Sequence, residues 1–176
     1  TTLFSEQLDI INDINIKKII FMKSNYINIY NNLIKLTTNK NLYKGFNTQD
    51  TFSDRLILFL LHFAFFLKTY KNEENKIILQ EIYDFNFRQL ELSIREIGYG
   101  DQSINKKMKD YVNLFHSMVS EIHFWKNLTR EQKNEQFSIF LTDFREIDHL
   151  LDYFELFNEN LSKKTLISYL KSVINA

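Results

Sequence analysis

The sequence predicts an all-α protein, and three observations support this. The chain has 176 residues with no proline and only three glycines, whereas a β-rich fold of this length would need many tight turns built from these residues. The run from Leu56 to Leu67 is apolar at every position except His62. Further along, apolar residues recur at alternating spacings of four and three. We therefore expect one compact domain over residues 1–176, with about six or seven helices around a buried central helix.

The central helix is predicted over residues 51–70. Its apolar run has no polar gap at every third or fourth position, so the helix should be buried on all sides. The run is shorter than the roughly 20 residues that span a membrane, so protein must surround it. Thr51 and Asp54 have the spacing of a capping box that starts the helix. His62 is expected to be a neutral core histidine bonded to a polar neighbour, with ligand binding as the alternative.

The other helices are predicted where apolar side chains recur every three or four residues. A loop at 39–49, rich in Asn and Lys and containing Gly45, interrupts this pattern. The predicted helical segments are a short helix or ordered arm at 1–12, then 15–37, 51–70, 75–97, 103–125, 129–160 and 162–174.

The sharpest helix–turn–helix signal is the sequence Gly-Tyr-Gly-Asp at 98–101. Glycine is favoured where a helix ends with positive φ, so the preceding helix should end here. Asp101 or Ser103 can then cap the following helix. That helix carries the regular apolar stripe, which indicates a seam packed on neighbouring helices. The stripe consists of Ile104, Met108, Tyr111, Phe115, Met118, Ile122 and Trp125.

Composition and motifs exclude several classes of function. Lys and Arg total 22, as do Asp and Glu, so no charge imbalance suggests nucleic acid as a partner. The absence of cysteine excludes disulfide scaffolds and thiolate metal sites. The sequence has neither the glycine-rich motifs that cradle phosphate nor the motif of a serine nucleophile on a strained turn. The first residues resemble neither a secretory signal nor an Arg-rich transit segment.

A metal site is the main enzymatic alternative, because helical bundles can hold di-iron centres. Such a centre needs two Glu-x-x-His pairs and two further inward-facing glutamates. Glu146 and His149 form one such pair, and no other histidine has a Glu three residues before it. His116 and His123 share a helix face and are expected to form a polar, solvated or partner-facing strip. We therefore predict no metal and no cofactor.

Lys106, Lys107 and Lys109 crowd the first turns of their helix, which is the unfavourable end for cations. Two interpretations stay open: a solvated cluster in a lysine-rich protein, or a patch that meets an acidic partner. Glu96 and Asp101 lie near enough in sequence to offset part of this charge.

The segments DTFSDRLILFLLHFAFFL and IYDFNFRQLELSIREIGYGDQSINKKMKDYVNLFHSMV resemble the ubiquinol–cytochrome c chaperone family. The similarity is best over residues 42–122. The family's Asp/Gly-Arg-Phe start and Leu-His step correspond to Asp54-Arg55-Leu56 and Leu61-His62, with Leu in place of the aromatic residue. Its Leu-Arg-Glu-Met-Gly-x-Gly-Asp segment corresponds to residues 94–101, which include Arg95 and Glu96.

The resemblance implies an all-α fold without catalytic activity. It implies binding of newly made cytochrome b at the membrane surface, during assembly of the ubiquinol–cytochrome c reductase, with a small helical partner protein in mitochondria. Without a transit segment, a bacterial version is expected, in the cytoplasm and at most peripheral to the inner membrane; a eukaryotic one would lie in the mitochondrial matrix. The alternatives are a ligand-binding or metal-dependent helical bundle, with His62 or Glu146 and His149 at its site, and an interaction scaffold with another partner.

A chaperone for a membrane subunit needs an exposed apolar surface. The chain has 17 Phe and 9 Tyr, so either some of them line a groove or patch, or all belong to the core. The polar residues expected to bind the partner are Arg95, Glu96, Asp101, Lys106, Lys107 and Lys109. Those expected to have structural roles are Asp54, Arg55, His62, Gly98 and Gly100.

Overall fold

The computed structural model describes residues 2–44, 51–142 and 147–174. These ranges contain eight α-helices, two short 3₁₀ turns and no strand, so the all-α prediction is confirmed. The 3₁₀ turns are Lys40–Tyr43 and Trp125–Asn127. The helices are α1 (Thr2–Lys23), α2 (Tyr26–Thr37), α3 (Phe52–Tyr70), α4 (Lys76–Glu96), α5 (Asp101–Ile122), α6 (Arg130–Phe140), α7 (Ile147–Ser162) and α8 (Leu166–Ile174).

Helix α3 is the buried central helix that the sequence predicts. All residues from 58 to 66 are buried, and α2, α5 and α7 pack around the helix. The capping box is present: the Asp54 amide donates to Thr51 Oγ1 at 3.2 Å, and the Thr51 amide donates to Asp54 Oδ2 at 3.1 Å. These bonds satisfy two of the amides that a helix start leaves without partners.

The apolar stripe of α5 packs on α3, as its spacing predicts. The rings of Phe63 and Phe115 stack with centroids 5.0 Å apart. Helix α5 ends at Ile122, so the last residue of the stripe, Trp125, lies in the following 3₁₀ turn. Its indole is fully buried and meets Phe65 edge-on at 5.1 Å. Most aromatic side chains belong to this core, while Phe52, Tyr99 and Phe124 are exposed.

Three further predicted helix boundaries are wrong, and one of these errors, the division of a predicted helix into two, gives eight helices in place of the seven predicted segments. The first break lies at residues 24–25 rather than 13–14. There Asn25 Nδ2 donates to the Phe21 carbonyl at 2.6 Å and competes with the helical backbone bonds. The predicted helix over 129–160 is divided into α6 and α7. Helix α7 continues through Ser162, and the last helix begins only after Thr165.

None of the helices in the described ranges is long and apolar enough to cross a membrane.

Candidate functional site

The turn between α4 and α5 holds several of the residues that the sequence singles out. Gly98 ends α4 with φ of +98°, a conformation that favours glycine. Gly100 is the N-cap residue of α5 and makes no side-chain cap bond. The prediction that Asp101 or Ser103 caps α5 is therefore wrong: Asp101 is instead the first helical residue.

Arg95 ties the two helices of this turn together. Its guanidinium donates to Asp101 Oδ1 at 2.7 Å and to Glu91 Oε1 at 2.9 Å. These hydrogen bonds, that to Asp101 first, raise the pKa of Arg95 above its ordinary value. Arg95 is exposed, and exposed ion pairs contribute little to stability. The pair therefore orients the charges at the turn rather than holding the fold together.

The lysines of the turn differ in their contacts. Lys107 Nζ lies 4.5 Å from the centroid of the Tyr99 ring, a cation–π contact. Glu96, Lys106 and Lys109 are exposed and form no ion pair with the described residues. The turn thus presents mixed charges to solvent, within one short segment of surface.

His62 is the neutral core histidine that the sequence predicts. It is fully buried, with Nδ1 2.6 Å from the Leu58 carbonyl oxygen and Nε2 2.8 Å from the Tyr153 hydroxyl. A carbonyl only accepts, so Nδ1 carries the proton and Nε2 accepts from Tyr153. Burial lowers the pKa of His62 to about 4, although the bond to Leu58 acts in the opposite direction. Both nitrogens are occupied, which leaves neither to hold a ligand in this arrangement.

The remaining histidines do not assemble a metal site within the described residues, where no group of three or more His, Cys, Asp or Glu side chains converges. Glu146 lies outside the described residues. His149 Nε2 is 2.6 Å from the Asn41 carbonyl oxygen. His116 bonds the Tyr83 hydroxyl at 3.0 Å, and His123 packs edge-on against Phe124 at 4.6 Å.

The most unusual surface is apolar and lies on α1. Seven of its Ile and Leu side chains are 42–61% exposed. They are Leu8, Ile10, Ile11, Ile14, Ile16, Ile19 and Ile20. We call these seven residues the α1 apolar surface. The sequence marks several of these residues as apolar positions at helical spacing, but it predicts an exposed apolar surface only for aromatic residues. The signal was present, because isoleucines follow one another around the helix without a clear polar side.

A small apolar groove of about 190 Å³ lies between α2, α3 and α4. Tyr30, Phe59 and Leu90 line it, together with the exposed Ile34 and Phe52. Arg55, which belongs to the first of the two recognised sequence segments, lies at its edge. The groove can take an apolar side chain, with a cation beside it.

Two comparisons relate this chain to known proteins. Residues 44–123 match the family model described as Ubiquinol-cytochrome C chaperone. The crystal structure of the Cbp3 homolog from Brucella abortus is similar to this chain, with a TM-score of 0.69 and 21% sequence identity, over 91% of this chain and 92% of that one. At that identity the structural match shows a shared fold. No curated protein matches the sequence. The part of the chain from residue 44 to residue 123 is thus similar to the ubiquinol–cytochrome C chaperone family.

Proposed function

We propose that the protein is a non-enzymatic assembly chaperone that binds newly made cytochrome b during biogenesis of the ubiquinol–cytochrome c reductase. The match of residues 44–123 to the chaperone family model supports the general role. The observation that carries the proposal is the α1 apolar surface. A protein that holds an unassembled membrane subunit must cover apolar helices of its client, and exposed apolar patches mark such contacts.

The contacts of α1 with the rest of the protein favour a role in binding a client over a role in forming the core. Phe21 packs against the core, and Lys18 Nζ pairs with Glu74 Oε1 at 2.6 Å. The seven side chains of the α1 apolar surface lie outside this attachment and are exposed. Exposed apolar area costs free energy in water, at about 25 cal/mol per Å². Contact with an apolar client helix would remove this cost.

The turn between α4 and α5 is proposed as a second, polar contact with the client. Arg95 and Glu96 are the last residues of α4, and Asp101 is the first residue of α5. The other candidates lie further along α5: Lys106, Lys107 and Lys109. Charged residues at the rim of an interface set orientation and association rate more than affinity. This contact would position the client rather than hold it.

The proposed place of action is the membrane surface on the side where cytochrome b is made: the cytoplasmic face in a bacterium, or the matrix face in a mitochondrion. The chain would reach this surface through its client. In mitochondria, a small helical partner protein would take part.

The test is affinity purification of the tagged chain from detergent-solubilised host membranes, with quantitative mass spectrometry of the bound proteins. We expect cytochrome b among the enriched proteins, and loss of most of this enrichment in the triple variant Ile10→Gln, Ile14→Gln, Ile16→Gln. Glutamine is a good helix former, so α1 should persist.

The matched control is the triple variant Ile77→Gln, Ile139→Gln, Leu156→Gln. These three side chains are 58–74% exposed, against 55–60% for the three on α1, and lie on α4, α6 and α7. The control should keep its cytochrome b. Enrichment of an unrelated partner in place of cytochrome b would contradict the proposal and support a scaffold with another role.

A further inference from the structure

A wide cleft lies beside α1, and none of its lining residues belongs to the α1 apolar surface or to the turn between α4 and α5. It has a volume of about 830 Å³ and is formed by Lys18 of α1, the end of α3, the turn into α4, the 3₁₀ turn Trp125–Asn127 and the turn between α7 and α8. Small-molecule sites have volumes of about 300–1,000 Å³. The size therefore suits a ligand rather than a single water molecule or ion.

The cleft has an excess of positive charge. Among the residues that the structure describes, four lysines line it but only one acid, Glu74. Lys18 and Glu74 pair with each other at 2.6 Å, which leaves Lys68, Lys126 and Lys164. These three come from distant parts of the sequence, and none of them forms an ion pair with the described residues. The fold thus brings together three positive charges without a compensating carboxylate.

Part of this positive charge is partly buried, on Lys68. It is half-buried, and its Nζ has Asn158 Oδ1 as its hydrogen-bond acceptor, at 3.3 Å. Burial and the neighbouring Lys126 lower its pKa. Glu155 acts on the Lys68 pKa in the opposite direction, but its carboxylate already binds Lys133 and the Trp125 indole. An anion in the cleft would relieve this repulsion.

Helix α8 begins at the same cleft. Thr165, Leu166 and Ile167 line the wall, and Thr165 Oγ1 accepts from the Ser168 amide at 3.1 Å. The first amides of a helix have no partner within the helix and carry partial positive charge. The first amides of α8 therefore add to the attraction of the lysines for an anion.

We propose that this cleft binds a phosphate-bearing anion. A single carboxylate would neutralise only one of three lysines, whereas a phosphate or pyrophosphate group carries two or more charges and several acceptor oxygens. Lysine is a frequent phosphate ligand and acts as a point charge. Phe124, which is 62% exposed, lies at the cleft beside His123. Their rings offer an apolar face for the rest of the ligand.

The phosphate could belong to a soluble metabolite or to a phospholipid headgroup, and the recognition chemistry is the same for both. The inference does not depend on the cytochrome b proposal, because no residue of the cleft belongs to the α1 apolar surface.

Calorimetric titration of the full chain with inorganic pyrophosphate, in a low-salt buffer without phosphate, tests the proposal. We expect saturable binding of one pyrophosphate per chain. The double variant Lys126→Gln, Lys164→Gln should weaken it at least tenfold. The control Lys35→Gln, Lys40→Gln removes the same charge from exposed positions outside the cleft, and it should bind as the wild type does. Absence of saturable binding, or equal weakening in both double variants, would overturn the proposal.

Flotation with vesicles separates the two sources of phosphate. Vesicles of phosphatidylcholine with phosphatidic acid are compared with vesicles of phosphatidylcholine alone. Flotation only with phosphatidic acid, abolished by excess pyrophosphate and by the Lys126 and Lys164 variant, assigns the cleft to a lipid headgroup. Pyrophosphate binding without flotation assigns it to a soluble phosphorylated ligand.

Discussion

Helices α1 and α3 are both rich in apolar residues, yet the fold treats them in opposite ways. In α3 every side chain from residue 58 to 66 is buried. In α1 seven Ile and Leu side chains are exposed. Apolar content alone therefore does not decide burial: α3 has α2, α5 and α7 around it, whereas α1 lies along one side of the bundle. We interpret α3 as the helix that holds the fold together and α1 as the one that meets a partner.

The largest difference between the two helices is expected in the loss of stability when an apolar side chain is replaced by alanine. Phe63→Ala in α3 removes a fully buried ring that stacks on Phe115 at 5.0 Å, so it should lower the free energy of unfolding by about 3–5 kcal/mol. Ile16→Ala on the α1 apolar surface should change it by no more than about 0.5 kcal/mol. Urea denaturation of both variants measures this. Similar losses in both would mean that α1 is a core helix.

Acid should weaken the interior around α3 through His62. Its pKa is about 4 in the folded protein and about 6.5 when unfolded. The unfolded state thus binds the proton first, and stability is lost as pH falls from about 6.5 to about 4, by roughly 3 kcal/mol at most.

Urea denaturation across this pH range, for the wild type and His62→Leu, isolates the contribution of this side chain. The variant should show a shallower loss of stability on acidification, since the other titrating groups are common to both proteins. Equal slopes would show that His62 is not buried in its neutral form.

Two buried polar side chains of the core differ in their hydrogen bonding. His62 has partners for both nitrogens, whereas Asn86 on α4 is 1% exposed and its amide makes no hydrogen bond with the described residues. A buried group without a partner costs about 1–3 kcal/mol. Asn86→Leu should therefore raise the free energy of unfolding by about 1 kcal/mol. A loss of stability instead would indicate an ordered water molecule bound to Asn86.

The smallest effect on stability is expected at the exposed turn. Arg95→Ala removes the bonds to Glu91 and Asp101, all on the surface, so the melting temperature should hardly change. We expect weaker binding of the client instead, measured by the amount of cytochrome b that co-purifies. Unfolding of the variant would show that the pair is structural and that the turn is not a contact site.

The features that the sequence predicts correctly are local ones. The capping box of Thr51 and Asp54, the end of α4 at Gly98 and the burial of the unbroken apolar run all depend on neighbouring residues. The break at residues 24–25 was missed because Asn25 acts through a bond from its side chain to Phe21, and Asn is too common in this chain to mark a helix end.

Other features depend on contacts between distant segments, which periodicity does not show. Whether the isoleucines of α1 are covered is decided by the helices beside it, not by α1 itself. The cationic cleft brings together Lys68, Lys126 and Lys164 from three separate elements. The turn at residues 98–101 was predicted only in part. Its position follows from the glycines in the sequence, whereas the bond between Arg95 and Asp101 is found only in the structure.

The most direct test of the role assigned to α1 is site-specific photocrosslinking in host membranes. A photoreactive residue replaces Ile16 on α1 in one protein and Ile139 on α6 in another; both positions are exposed. We predict that newly made cytochrome b is crosslinked from position 16 and not from position 139. Crosslinking from position 139 alone, or no cytochrome b adduct from position 16, would contradict the assignment of α1 as the client-binding helix.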